Sequence, residues 1–121
     1  MKNLLIDCDE NSFDKEYNRI IDSLIKDSKS KISFYIYDDS QEESLILREQ
    51  KGIHMIINNI FDLKFIKHEL ESRQKKWKEN RFIIIICNKI KYDTEACNYL
   101  FKNENKLNMS NIYYCIFNLQ G

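Results

Sequence analysis

The residues best equipped for chemistry in this chain stand where short apolar runs stop. Asp7, Cys8 and Asp9 follow Leu4-Leu5-Ile6, and Asp38 and Asp39 follow the run Ile32 to Tyr37. Asn58 and Asn59 end the run that begins at Ile53, Cys87 and Asn88 follow Phe82 to Ile86, and Asn118 follows Ile112 to Phe117. Two carboxylates at one strand end, Asp7 and Asp9, could hold Mg²⁺, a hard cation that prefers oxygen ligands. Acids at such positions also cap the helix that follows, and for Asp9 and Asp39 that is the commoner use.

Other reactive groupings are thin. Gly52 and Gly121 are the only glycines, which removes glycine-rich phosphate loops and GxGxxG dinucleotide sites. Cys8, Cys87, Cys97 and Cys115 lack CxxC spacing and have no histidine pair beside them, so reduced thiols packed as small hydrophobes are expected, without zinc. His54 lies inside an apolar run and reads as packed; His68 lies among charges and reads as solvated. Trp77 sits beside Lys75, Lys76 and Lys78, and its ring is expected to close an apolar helix face while the ammonium groups stay in water.

The elements that must position these groups follow from periodicity. Phe13, Tyr17, Ile20, Ile21, Leu24 and Ile25 share one helical face, with Asn11 or Ser12 as the cap. Ser40 and Glu43 have capping-box spacing for a short helix through Leu47, stopped at Gly52. A longer helix carries Leu63, Ile66, Leu70 and Trp77, and a further one, capped by Asp93 or Thr94, carries Ala96, Leu100 and Leu107. Phe82 to Ile86 is apolar without alternation, the mark of a strand buried on both faces. The pattern β-α-β-α-β-α-β-α-β predicts a doubly wound α/β domain: a five-stranded parallel sheet between two helical layers.

Composition bounds the rest. With 121 residues, 43% hydrophobic and 31% charged, the chain is expected to form one soluble domain over 1–121. Nineteen basic and nineteen acidic residues cancel, so bulk charge does not favour nucleic acid or anionic membrane. No apolar run approaches the ~20 residues of a membrane span, and no signal-peptide pattern follows Met1, so a cytoplasmic location is expected. Charge is nevertheless uneven: residues 1–50 carry seven basic and twelve acidic side chains, residues 51–121 twelve and seven.

At its strand ends the chain resembles a receiver domain of bacterial response regulators, nearest in style to accessory-gene-regulator receivers with LytTR output domains. Leu4-Leu5-Ile6-Asp7-Cys8-Asp9-Glu10 looks like the family's first strand and acidic pair. His54-Met55-Ile56-Ile57-Asn58-Asn59 looks like the strand ending in the phospho-accepting aspartate, and Ile83 to Asn88 like the strand ending in the switch Thr/Ser. The resemblance implies a flavodoxin-like strand order 2-1-3-4-5. It also implies that the reactive positions have changed. Asp7 keeps the first acid, Cys8 replaces the second with Asp9 as a partial substitute, Asn59 stands for the phosphoacceptor and Cys87 for the switch hydroxyl. The family's lysine falls on Asn118 if strand five is 112–117, or on Lys102 if it is 97–101; strand propensity favours 112–117.

An amide at Asn59 cannot form an acyl phosphate. The expected function is therefore a pseudo-receiver: a non-enzymatic regulatory module of signalling or transcription control, working through a protein partner or a homodimer. No cofactor is required, and Mg²⁺ at Asp7 and Asp9 is a weak residual option. Two alternatives are a divergent NYN/PIN-like nuclease built on Asp7, Asp9 and Asp39, and a small mobile-element interaction or immunity-type protein.

Overall fold

A computed structural model of the chain describes residues 2–28, 32–38, 53–58, 63–75, 81–88 and 90–119. The expected helix from Ser40 to Leu47, together with Asp39, Asn59 and Trp77, lies outside them. The described elements run β1 (Leu4–Cys8), α1 (Glu10–Ser28), β2 (Ile32–Asp38), β3 (Ile53–Asn58), α2 (Leu63–Lys75), β4 (Phe82–Asn88), α3 (Glu95–Lys102), α4 (Glu104–Met109) and β5 (Ile112–Leu119).

All strand pairs are parallel, and the sheet order is β1-β5-β4-β2-β3. This overturns the order 2-1-3-4-5 and with it the receiver/flavodoxin-like topology. In that order β1 is internal and neighbours β3. Here β1 forms one edge and β3 the other, so their tips are separated by about 19 Å at ~4.8 Å per strand step. The physical reason lies in α1. Its apolar face shares one core with Cys115 and Phe117 of β5, Ile84 and Ile86 of β4 and Phe34 and Ile36 of β2, so the crossover passes over two strands before the chain rejoins the sheet.

Two apolar layers flank the sheet. On one face Phe13, Tyr17, Ile20 and Ile21 of α1 pack on Phe34, Ile36, Ile84, Ile86, Cys115 and Phe117. Phe117 meets Phe13 edge-on at 5.4 Å and Tyr17 at 5.6 Å, which seats the first turns of α1 on β5. On the other face Ile66 and Leu70 of α2, Cys97 and Leu100 of α3 and Leu107 of α4 cover Tyr35, Ile83, Ile85, Cys87, Tyr114 and Ile116. The forward crossover from β1 to β2 uses the first face, and the backward crossovers into β4 and β5 use the second. All three therefore have one hand.

Burial matches position in the sheet. β4 is buried along nearly its whole length, and β5 from Tyr114 to Phe117. β1 alternates between half-buried and exposed before ending at buried Cys8, as an edge strand does. The helix expected through Ala96, Leu100 and Leu107 is two helices, broken at Asn103. Thr94 is the cap of α3, its hydroxyl accepting from the Cys97 amide at 3.3 Å. Residues 97–101 are helical, so strand five is the 112–117 run, extended to Leu119.

The amino-terminal rim of the sheet is locked by arginines. Arg73 is buried; its Nε pairs with Glu69 at 3.0 Å, and its Nη1 donates to the carbonyls of Arg81 at 2.6 Å and Ser110 at 3.1 Å. The guanidinium thus ties the end of α2 to the entries of β4 and β5. Arg81 in turn donates to the Ile32 carbonyl and the Ser33 hydroxyl, both at 3.3 Å.

Candidate functional site

In a parallel α/β sheet the site-forming end is the carboxyl end of the strands. Asp7 and Asn118 meet there, opposite each other in the β1/β5 register. The Asn118 amide nitrogen donates to Asp7 Oδ1 at 3.0 Å, and the Tyr92 hydroxyl donates to the same oxygen at 2.8 Å. Tyr92 comes from the turn after β4 and is held edge-on against Phe101 at 6.4 Å. The Asn118 and Tyr92 donors hold the Asp7 carboxyl below its ordinary value. The Tyr92 hydroxyl is pushed up to about 12, first by burial and then by Asp7. The result is an exposed carboxylate, ionised and fixed in direction.

Asp9 has a different task. Its Oδ1 accepts from the Ser12 amide at 2.8 Å while its own amide donates to Ser12 Oγ at 3.3 Å, a reciprocal cap that starts α1 one turn before Ser12. Those bonds lower its pKa. The cap is therefore Asp9, not Asn11 or Ser12. Asp7 and Asp9 are each engaged by other groups, and among the described residues no set of three His, Cys, Asp or Glu side chains gathers around a common point.

The remaining expected pocket residues are not brought together. Cys8 is buried under α1. Cys87 is fully buried on the opposite face, two residues deeper than the Asp7 level through the β5 register, and burial above all pushes its thiol well up. All four cysteines are buried, as small hydrophobes are. Lys102 is exposed at the far end of α3, about 10 Å along the helix axis from Glu95. β3, whose tip leads to Asn59, lies on the opposite edge from Asp7. The pocket expected from Asp7, Asn59 and Cys87 loses the β1–β3 adjacency on which it was built, and Asn59 itself lies outside the described residues. Asp39, the third carboxylate of the nuclease alternative, lies outside the described residues; the strand that precedes it, β2, is three strand steps from β1, about 14 Å.

Comparison with protein-family models, with curated proteins and with solved structures matches none of them.

Two residues matter more than their sequence context suggested. Tyr92 has no motif around it; only its place after β4, on the same rim as Asp7, could have drawn notice. Asn88 ends β4 fully buried, and among the described residues neither its Nδ2 nor its Oδ1 has a hydrogen-bond partner. Its backbone registers with Asp38 of β2. β4 leads back towards β5 and β2 leads outwards to β3, so Asn88 stands where the connections diverge.

Proposed function

We propose that this chain is a non-enzymatic protein–protein interaction module whose contact surface is the β1 edge and the Asp7 rim beside it. One observation carries the reading: Leu5, in the middle of an edge strand, is 54% exposed, two residues before a carboxylate held ionised by Tyr92 and Asn118. An open strand edge offers backbone donors and acceptors, an apolar side chain adds burial, and a fixed negative charge sets register. The receiver part of the sequence expectation loses its geometric support with the strand order. Regulation by partner contact survives as the proposal.

The test is affinity capture by the tagged chain in cells that also produce it untagged, comparing Leu5→Lys and Asp7→Asn with the parent. The reading expects a bound protein, a second copy included, that both substitutions weaken. Capture unchanged by both substitutions ends it.

A further inference from the structure

We infer that the occupant of the β1 edge is a second copy of this chain, its β1 antiparallel to the first about a two-fold axis at Leu5. This rests on the interaction reading above and names its partner.

The edge lacks the usual protections. Between Lys2 and Asp7 there is no proline, glycine or charge, only Asn3-Leu4-Leu5-Ile6. Among the described residues β1 is hydrogen-bonded on one side only, to β5. Leu4 and Ile6 pack against the α1 layer, while Leu5 alternates to the other face and is exposed.

Symmetry decides the partner. A two-fold axis perpendicular to a sheet keeps each face on its own side, so opposed residues must share a face. Centred on Leu5, the axis sets Leu5 against Leu5 and Leu4 against Ile6, so the apolar trio is complementary to itself. Charge points the same way. Exposed Lys2 lies at one end of the strand and exposed Asp7 and Asp9 at the other. Antiparallel pairing brings each basic end alongside the copy's acidic end; parallel addition sets like beside like. The contact is isologous and closes on itself, leaving a sheet continuous through both copies. A strand of five residues buries little area, so the dimer is weak and concentration-dependent.

The experiment is sedimentation of the full chain over a concentration series, with mild oxidation of Leu5→Cys. Residues opposed across an antiparallel pair have Cα atoms roughly 4.5–5.5 Å apart, within disulfide reach. The native thiols are buried, so the parent is the control for non-specific linkage. Expected are a concentration-dependent dimer for the parent, a disulfide-linked dimer for Leu5→Cys, and a monomer with unchanged melting for Leu5→Lys. Leu5→Thr serves in its place if Leu5→Lys does not fold. A parent that stays monomeric, or one that dimerises while Leu5→Cys does not cross-link, overturns the inference. If capture nevertheless depends on Leu5, the interaction reading stands and its partner is a different protein.

Discussion

Asp7 and Asn118, 111 residues apart in sequence, face each other at the carboxyl ends of β1 and β5, the amide donating to the carboxylate at 3.0 Å. Neighbouring parallel strands and an in-step register create the pair. The first prediction concerns its charge. Asp7 has a folded pKa below its ordinary 3.8, so the stabilisation it adds is present above that value and fades as pH falls through the folded one. Carboxyl NMR titration should find Asp7 below 3.8, and Asn118→Ala and Tyr92→Phe should each raise it. An unmoved midpoint in both variants would mean that the two donors do not act on the carboxylate.

Asn88 predicts a gain of stability on mutation. A buried amide without partners costs about 1–3 kcal/mol relative to one that is satisfied. Asn88→Leu, with the same branching and heavy-atom count but no polar atoms, should raise the unfolding free energy measured in urea by a comparable amount. A lower midpoint would show that something engages the amide in solution.

Arg73 predicts a loss. Removing the guanidinium frees the Arg81 and Ser110 carbonyls and breaks the contact with Glu69. Arg73→Ala should cost about 2–3 kcal/mol, given the strength of charge-assisted bonds. Arg73→Lys should recover only part of it, because one ammonium cannot reproduce the planar fork. Denaturant unfolding of the three proteins decides the matter.

Alkaline pH should weaken the fold. Burial pushes the Cys115 thiol from 9.0 to about 12, and burial first, then Glu104, pushes the Tyr114 hydroxyl from 10.0 to about 12. Above pH 9 the unfolded chain releases protons that the folded chain retains, so stability is full below the ordinary values and falls as pH rises towards 12. Unfolding midpoints measured from pH 8 to pH 11 should decline, and Cys115→Ala should flatten the part that begins near pH 9. Thiol reagents at neutral pH should modify none of the four buried cysteines until the protein unfolds.

The legibility of the fold differed from element to element. Phe82 to Ile86 read as a central strand and is one, since a run without alternation has no face to give to water. Ile112–Phe117 is a second such run, buried from Tyr114 to Phe117 inside the sheet, whereas the receiver order sets strand five at an edge. Leu4-Leu5-Ile6 was too short and too quickly charged for the internal position that order requires. The resemblance drew on strand ends, which many parallel α/β sheets share.

By itself, the amino-acid sequence determined the described strands, the helices α1 and α2, the parallel sense that strand–helix alternation imposes, and the burial of the cysteines, because these depend on periodicity and apolar content within a few residues. Only the tertiary structure decided which strands are neighbours. Crossover helices reach past intervening strands at little local cost, so nothing near Asp7 records that its partners are Tyr92 and Asn118, or that Asn59 follows the opposite edge strand.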